Sequence, residues 1–293
     1  MSIKDFRFDG EKKLNLKNEP TGAGDMKLRK KELVAKTAQN IAEAAQLQEM
    51  LYAERREGLV IAIQARDAAG KDSLIKHVFC GLNPAALKIT SFKTPTKTEL
   101  AHDYLWRINA ALPERGVIGV FNRSHYEDVI AVRVHHYEKT YNFPDRCMTE
   151  DFFLRRYMQL TGWEDYLYEN GYRVVKLFLN VSKETQSKRF IDRMVRDDKH
   201  WKLSTNDMKE RALWEEYDKA FEDAINFTGT PQSPWYVVPA DNKWYTRYIV
   251  SEILLQTLKD MDPHFPELDS AEAAKIPAIM EQLEQERAAK EMK

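Results

Sequence analysis

An apolar run followed by a polar loop and a helical pattern constrains this chain more than any other stretch. Residues 59–63 are all apolar and long enough for one buried strand. The loop at 64–73 contains Gly70 and Lys71, and residues 74–79 then carry apolar side chains at helical spacing. A glycine lets the backbone turn its N–H groups toward an anion, the helix N-terminus adds its dipole, and lysine supplies a full positive charge. The sequence therefore predicts a strand, a phosphate-binding loop and a helix.

The loop departs at two positions from the usual phosphate-binding sequence, which has a glycine where Ala65 stands and Ser or Thr directly after the lysine. Here Asp72 follows Lys71. The carboxylate of Asp67 can replace the missing hydroxyl, because Mg²⁺ prefers one or two carboxylates together with phosphate oxygens. In the alternative interpretation, Asp67 only caps the helix and Gly70 only eases a turn. The loop residues that we expect to contact phosphate or nucleotide are Arg66, Ala68, Ala69, Gly70, Lys71, Asp72 and Ser73.

Charge and cysteine content narrow the function classes. The formal net charge of the 293 residues is −1, so a polyanion must be bound by a local basic patch, and we expect no nucleic acid partner. Cys80 and Cys147 lie in segments that read as helix or helix edge, which favours a reducing, cytoplasmic compartment. The N-terminus lacks an apolar core, and no apolar run approaches membrane-spanning length. We therefore expect neither a signal peptide nor a membrane partner.

Apolar runs alternate with helical patterns along the chain, which predicts an α/β fold with a parallel five-stranded sheet covered by helices on both faces. The predicted strands are 59–63, 87–92, 117–121, 174–179 and 235–238, and the predicted helices are 26–56, 74–79, 96–112, 149–170, 182–198, 205–226 and 243–259. Thr96 and Glu99 have the spacing of a capping box at the start of one helix. We divide the chain into an extended arm at 1–25, one domain at 26–262 and a C-terminal helical extension at 263–293.

Polar clusters follow three of the predicted strands, at 64–73, 122–128 and 240–242. Ligands of such sheets bind at the carboxyl ends of the strands. We therefore expect the three clusters to share one edge of the sheet and to form the site there.

The second cluster begins with Asn122, at the position where a phosphate-transferring protein of this architecture places its second metal-binding carboxylate. Either Asn122 holds a metal-bound water, or Glu127 supplies the charge. Ser124 and Glu127 also have the spacing of a capping box, which explains both residues without catalysis. Arg123 is better explained as a phosphate clamp, because its fork of donors bridges oxygens of two neighbouring groups.

A basic stretch at 188–211 predicts a lid over the site. Three arginines fall at helical i, i+4, i+7 spacing, so one helix face presents a row of guanidinium groups: Arg189, Arg193 and Arg196. The helix then enters the polar segment 197–202. A mobile segment that brings arginines over a phosphate and excludes water fits this pattern.

The alternative interpretation of this stretch is a solvated helix without a role in catalysis. Its charges then pair internally, Lys188 with Asp192 and Arg193 with Asp197. The nearby phosphate-binding loop favours the lid interpretation, because phosphoryl transfer is catalysed mainly by positioned cations that stabilise the transferring phosphate.

These clusters, in this order and at this spacing, resemble those of polyphosphate kinase family 2, whose members move phosphate between inorganic polyphosphate and nucleotides. The similarity runs from about Leu33 to Lys259 and covers the segments 66–72, 102–107, 121–128, Arg189-Phe190, Arg193 and Trp201-Lys202. The resemblance implies a P-loop kinase fold of the thymidylate kinase type, with three layers and a helical lid at about 189–210.

The resemblance also implies roles for single residues. Asp67 would bind Mg²⁺, or Mn²⁺ in its place, while Lys71 and Arg123 would hold the transferring phosphates. Arg189 and Arg193 would close from the lid, and the phosphate and nucleotide contacts would include Asn122 and Lys202. Many members carry Asp at the position of Asn122 and Asn at that of Glu127. The pairing of Asn122 with Glu127 is similar to the class III subgroup, which phosphorylates nucleoside mono- and diphosphates, and Glu127 would position a metal or water around the shorter acceptor, AMP.

The sequence therefore predicts a cytoplasmic, Mg²⁺-dependent enzyme that transfers phosphate from inorganic polyphosphate to AMP and ADP, giving ADP and ATP, in a reversible reaction. We expect a homo-oligomer, either a dimer or a tetramer. One alternative is an ATP-dependent nucleoside monophosphate kinase of the same fold. A second is a non-catalytic regulatory protein that binds phosphate.

Overall fold

One mixed β-sheet organises the computed structural model, which describes residues 2–202 and 204–291. The strands of the described residues are β1 Arg7–Phe8, β2 Gly58–Ala65, β3 Leu87–Ser91, β4 Ile118–Asn122, β5 Tyr172–Asn180 and β6 Trp235–Pro239. Their order across the sheet is β1-β6-β5-β2-β4-β3. Each neighbouring pair is parallel except β1 with β6. The central position of β2 places the loop that follows it in the middle of the carboxyl edge.

The predicted parallel strands correspond to β2–β6, but the prediction of a five-stranded, wholly parallel sheet was wrong, because β1 adds a sixth, antiparallel strand. This strand lies in the predicted N-terminal arm and places Phe8 opposite Trp235. The Phe8 side chain is buried in the core. A strand of two residues is too short to show the alternation that reveals longer strands in a sequence.

The α-helices of the described residues are α1 Lys30–Glu54, α2 Lys71–Val78, α3 Lys97–Leu100, α4 Trp106–Ala111, α5 Ala131–His135, α6 Phe152–Glu169, α7 Lys183–Val195, α8 Asp207–Ala212, α9 Trp214–Thr228, α10 Lys243–Met261, α11 Ser270–Ala273 and α12 Ile276–Glu291. Shorter 3-10 helices lie at Ile3–Phe6, Leu16–Asn18, Gly24–Arg29, Pro84–Ala86, His125–Asp128, Tyr137–Thr140, Asp145–Cys147 and Asp197–Lys202.

The helix predicted at 96–112 is broken into α3 and α4. Its predicted capping box is confirmed, since the Thr96 N–H donates to the Glu99 carboxylate at 2.6 Å and the Glu99 N–H donates to Thr96 Oγ1 at 3.2 Å. Farther along, Asp103 Oδ1 accepts from the backbone N–H of Leu105 at 3.0 Å. Such local side-chain bonds compete with helical hydrogen bonding. The helix predicted at 205–226 is likewise divided, into α8 and α9.

Helices cover both faces of the sheet, which makes the three layers that the family resemblance implies. The side chains of β2 alternate between the two faces. Leu59 and Ile61 join the core formed with α1, α2 and α10, whereas Val60 joins the core formed with α4 and α6. Every residue of β2 is buried, as expected for the central strand of a parallel sheet.

A buried ion pair lies beneath the segment that follows β4. Lys176, in the middle of β5, donates to Glu164 Oε2 on α6 at 2.5 Å, and neither side chain is exposed to solvent. The other carboxylate oxygen of Glu164 contacts Tyr126 Oη at 2.8 Å and His125 Nε2 at 3.2 Å. Burial alone would raise the pKa of Glu164, but the charge of Lys176 and the hydrogen bonds from His125 and Lys176 together bring that pKa below its usual value. The network therefore anchors both residues that precede Glu127 in the chain.

The C-terminal extension contains α11 and α12, whose described side chains are exposed. Four large apolar side chains of α12 recur at helical spacing and face solvent: Ile276, Ile279, Met280 and Leu283. Among the helices that the structure describes, none combines the length and apolar character needed to cross a membrane.

Candidate active site

The loop after β2 turns sharply before α2 begins at Lys71. Gly70 has φ +112° and Ala68 has φ +59°, so two backbone units adopt left-handed conformations within three residues. Gly70 is the N-cap residue of α2, and among the residues that the structure describes no side chain caps that helix. The interpretation of Asp67 as a simple helix cap was therefore wrong. Lys71 Nζ donates to the carbonyl of Ala65 at 2.9 Å, which holds the ammonium group over the loop.

Arg123 joins this loop to the end of β4. Its guanidinium contacts Asp67 Oδ1 at 3.1 Å and Glu127 Oε2 at 3.3 Å. Its backbone is left-handed, with φ +64°, and its N–H donates to the Ile63 carbonyl of β2 at 3.1 Å. A non-glycine residue in this conformation is uncommon, and such strain tends to occur at functional sites. The negative charge of Glu127, followed by that of Asp67, keeps the pKa of Arg123 above its usual value.

Glu127 does not form the capping box that its spacing allows. Ser124 Oγ accepts from the Tyr126 N–H at 3.3 Å, whereas the carboxylate of Glu127 faces Arg123. When the side-chain amide of Gln64 is assigned so that both of its ends are satisfied, its nitrogen donates to Glu127 Oε1 at 2.9 Å and its oxygen accepts from the Ser124 N–H at 3.0 Å. The capping interpretation of Glu127 was therefore wrong, and its carboxylate belongs to the cluster around Arg123.

The first residues of α2 contact the neighbouring elements. Asn122 Nδ2 donates to Asp72 Oδ1 at 3.0 Å, which links β4 to α2. Ser73 Oγ accepts from Arg247 Nη2 of α10 at 3.1 Å. The ends of the three elements thus meet at the carboxyl edge of the sheet.

Arg189 of α7 donates to four backbone carbonyls. Its Nη1 bonds Ala68 and Ala69 at 2.9 and 2.6 Å, and its Nη2 bonds Ala240 and Asp241 at 2.6 and 3.1 Å. These bonds fasten α7 to the 64–73 loop and to the 240–242 turn. The structure therefore brings the three predicted polar clusters together at one edge.

The other charged side chains of α7 do not form the ion pairs that the sequence analysis considered. Arg193 contacts Asp207 of α8 at 3.5 Å, and Lys188 contacts Glu184 at 2.7 Å. Arg196 follows the last residue of α7 and is exposed, so only two members of the predicted arginine row face the site. The predicted pairs are not formed, because Lys188 contacts Glu184 one turn earlier on α7 instead of Asp192, and Arg193 contacts a residue of another helix instead of Asp197.

Two neighbouring cavities open at this edge. The first, which we name the Lys71 cavity, has a volume of about 660 Å³ and is lined by part of the 64–73 loop, from Asp67 onward, and by Arg123, Arg189, Arg193 and Lys243. The second, named the Tyr141 cavity, has a volume of about 670 Å³ and includes Glu127 and Tyr141. Four residues line both cavities: Asp67, Phe92, Lys93 and Arg123.

Cations dominate the Lys71 cavity. Seven lysine or arginine side chains and four aspartates line it. Burial lowers the pKa of Lys71 to about 8, and the positive charge of Arg123 adds to that lowering. Partial burial and the positive charges of Arg189 and Lys199 lower the pKa of Lys243 as well. Mutual repulsion among cations is relieved by a bound anion, so this cavity is suited to a polyanion.

Two predicted contact residues need separate mention. Arg66 is buried, lies 4.3 Å from the Trp214 ring centre and pairs with Asp218. Burial lowers the pKa of Arg66 to about 10. Its role in phosphate binding stays a prediction, since the structure gives its guanidinium an internal partner. The side chain of Lys202 lies outside the described residues.

Sequence reasoning missed several cations of the site. Lys243 and Arg247 begin α10 directly after the 240–242 turn, four residues apart and therefore on one helix face. Lys93 follows β3. The rule that ligands bind beyond the carboxyl ends of strands would have found all three if it had been applied to every predicted strand.

The carboxylates of the site suit a metal ion that is shared with a substrate. Asp67 and Glu127 flank Arg123 and offer hard oxygen donors. In the described part of the chain, no group of three or more His, Cys, Asp or Glu side chains could hold a metal ion. Mg²⁺ commonly takes one or two carboxylates and completes its shell with water and substrate phosphates. The residues present therefore fit Mg²⁺ that arrives with a phosphate.

A family model and two curated relatives show which known proteins this chain is similar to. The family model of Polyphosphate kinase 2 (PPK2) matches residues 27–266. The ADP-polyphosphate phosphotransferase of Rhodopseudomonas palustris is 39% identical over 97% of this chain and 99% of its own length. The AMP/ADP-polyphosphate phosphotransferase of Meiothermus ruber is 40% identical over 77% of this chain and 80% of its own length.

A solved structure is similar over nearly the whole chain. The crystal structure of polyphosphate kinase 2 from Arthrobacter aurescens TC1 superposes with a TM-score of 0.84 at 36% identity, covering 96% of this chain and 97% of that one. The range matched by the family model, 27–266, includes the 64–73 loop, the 122–128 segment and α7. The chain belongs to the polyphosphate kinase 2 family.

Proposed function

We propose that this protein transfers phosphate from inorganic polyphosphate to AMP and ADP, giving ADP and ATP, and that the reaction is reversible. One observation carries the proposal: a cationic cavity and a second cavity with aromatic walls meet at Asp67 and Arg123. A phosphate chain in the first cavity and a nucleotide in the second would place donor and acceptor phosphates side by side. The names of the relatives, which refer to AMP, ADP and polyphosphate, support this assignment.

The Lys71 cavity suits the polyphosphate donor. Its excess of cations attracts a chain that carries about one negative charge per unit, by the same electrostatics that bind nucleic acid backbones. Backbone amides of the 64–73 loop and the dipole of α2 add to this attraction. We therefore propose that the loop acts as a P-loop of the thymidylate kinase type, with α7 and the residues to about 210 as its lid.

The Tyr141 cavity suits the nucleotide acceptor. Its wall includes Pro95, Val132, Tyr137 and Tyr141, which offer apolar and aromatic surface to a base and a ribose. An inorganic phosphate chain has no apolar groups that would pack against such a surface. Glu127 lies where the two cavities approach each other, so its position matters most for a short acceptor such as AMP.

The mechanism that follows is in-line transfer without a covalent enzyme intermediate. Lys71 and Arg123 would hold the transferring phosphate, and the tightly held backbone of the loop would fix its distance from the acceptor. Asp67 and Glu127 would hold Mg²⁺, which would neutralise part of the negative charge of the substrates when bound. Arg193 reaches the same cavity from α7 and would exchange its contact with Asp207 for phosphate when the lid closes.

A donor and acceptor panel tests the proposal. Pure protein is incubated with Mg²⁺ and AMP, and either long-chain polyphosphate or ATP, and the nucleotides are separated by chromatography. We expect ADP and then ATP from polyphosphate. If only the ATP incubation yields ADP, the protein is instead a nucleoside monophosphate kinase. If neither donor supports turnover but polyphosphate still binds, the regulatory alternative is correct.

We also propose a cytoplasmic homo-oligomer, a dimer or a tetramer. The two free cysteines, Cys80 and Cys147, are consistent with a reducing compartment. The exposed apolar stripe of α12 offers a surface for a second copy of the chain. Light scattering of the purified protein with and without residues 263–293 gives the subunit number and tests the role of this extension.

A further inference from the structure

Asp67, Phe92, Lys93 and Arg123 line both cavities, and we name the place where these four residues lie the junction. If the donor lies in one cavity and the acceptor in the other, the phosphoryl group has to cross this junction. Charged side chains at the junction therefore act on the transition state more than on either bound substrate. Lys93 is the member of this set that the sequence analysis did not consider.

The guanidinium of Arg123, the other cation at the junction, is already engaged by carboxylates. Arg123 is already in contact with two carboxylates, those of Asp67 and Glu127, at 3.1 and 3.3 Å. Among the described residues, the ammonium group of Lys93 has no ion-pair partner. The phosphoryl group in transit spreads negative charge over three oxygens. An unpaired cation at the junction is therefore available to that charge.

The backbone of Lys93 is held in place although its side chain is exposed. Its carbonyl accepts from Arg107 Nη1 at 2.8 Å. The N–H of Phe92 donates to the Asn122 carbonyl at 3.0 Å, and the buried Phe92 ring meets the Phe121 ring edge-on with centres 5.1 Å apart. These contacts fix the end of β3 beside the end of β4, so the stem of Lys93 starts from a defined point at the junction.

We propose that Lys93 is a catalytic residue that contacts the phosphoryl group as it crosses from the Lys71 cavity to the Tyr141 cavity. In the step, the bond between the terminal phosphorus and its bridging oxygen breaks, and a phosphate oxygen of the acceptor forms a new bond to that phosphorus. The shortened polyphosphate leaves with the electron pair, and Lys93 keeps its proton throughout. The inference rests on the proposed function, because it requires a donor and an acceptor in the two cavities.

The test compares Lys93→Met, Lys93→Arg and the control Lys97→Met, in the full-length protein. Lys97 is exposed, lies four residues farther along and lines neither cavity. With polyphosphate and AMP, we expect Lys93→Met to lower kcat by about 10², the loss typical of one transition-state donor, while both KM values stay close to those of the wild type. Lys93→Arg should recover a large part of this loss, and Lys97→Met should behave as the wild type. The urea midpoint of all three should be unchanged, because both lysine side chains are exposed.

Three outcomes overturn the proposal: kcat of Lys93→Met within twofold of the wild type, a rise in the KM for polyphosphate with kcat unchanged, or an equal loss in Lys97→Met. The failure of the proposed function looks different. If the wild type uses ATP and not polyphosphate, the same variants are compared with ATP as the donor. A kcat loss confined to Lys93→Met still supports the role of Lys93, and the absence of such a kcat loss overturns it.

Discussion

Replacing Lys176 with methionine leaves the carboxylate of Glu164 buried without its cation. The ammonium group of Lys176 donates to Glu164 Oε2 at 2.5 Å, the Thr228 carbonyl at 2.7 Å and Tyr126 Oη at 3.2 Å. Methionine fills most of the same volume, so the loss is electrostatic and not a cavity. Removing one partner of a buried ion pair costs about 3–5 kcal/mol of unfolding free energy. We expect Lys176→Met to lower the unfolding free energy of the protein by that amount near pH 8.

The loss should depend on pH in a defined direction. Without Lys176, burial raises the pKa of Glu164 in the folded variant above its unfolded value, so the neutral carboxyl is the stable form. The contribution of the neutral Glu164 carboxyl to the stability of the variant is then fully present below its unfolded pKa and is lost as the pH rises through its folded pKa. In the wild type, the pKa of Glu164 lies below its usual value, so its stabilisation is present at neutral pH. The difference in unfolding free energy between the variant and the wild type should therefore decrease as the pH falls from 8 to 5.

Urea unfolding followed by circular dichroism at both pH values measures the effect. The matched control is the double variant Glu164→Gln with Lys176→Met, which carries neither charge and should regain most of the stability, since a pair of buried charges is often no more stable than a neutral replacement. A Lys176→Met protein within about 1 kcal/mol of the wild type at pH 8, or a double variant as unstable as the single one, would refute this reasoning.

Three further predictions concern the site. Lys71→Ala should fold normally but lose at least about 10² in turnover, measured by nucleotide chromatography and circular dichroism, because the transferring phosphate loses a preorganised cation. The pKa of Lys71 is near 8 and the charged form is the active one, so kcat/KM should fall as the pH rises through about 8, and Lys71→Arg should move this limb upward. Glu127→Asn should harm phosphorylation of AMP more than that of ADP, because the carboxylate lies where the shorter acceptor leaves a gap, and the two kcat/KM values measure this.

Each of these has an outcome that contradicts it. Turnover of Lys71→Ala within tenfold of the wild type removes the lysine from the mechanism. If an active Lys71→Arg variant loses kcat/KM at the same alkaline pH as the wild type, another group causes that loss. An equal loss on AMP and ADP in Glu127→Asn means that the carboxylate only orients Arg123. Thr98→Ala, in the exposed part of α3, serves as a common control.

Much of the site was readable from local pattern. Five apolar runs marked the parallel strands, and polar residues directly after them marked the edge where Asp67, Lys71 and Arg123 meet. The interpretation of Asp67 and Glu127 as helix caps was open in the sequence, because the spacing of a cap is a local property that many carboxylates satisfy. The contact of Glu127 with Arg123 is a local one, four residues apart, whereas the contact of Asp67 with Arg123 joins the loop after β2 to the end of β4, and no local rule reports it.

The sequence by itself determined the order of the parallel strands, the strand-loop-helix unit around Lys71 and the membership of one family, since these depend on neighbours within a few residues. Only the tertiary structure decided that Arg66 turns inward to Asp218, that Arg193 pairs with Asp207, that the arm contributes β1, and that Lys93 stands between two cavities. Each of these depends on a partner far away in the chain. Such contacts form only once the sheet has brought distant segments within a few ångströms, where charge and burial select among partners that the sequence leaves equivalent.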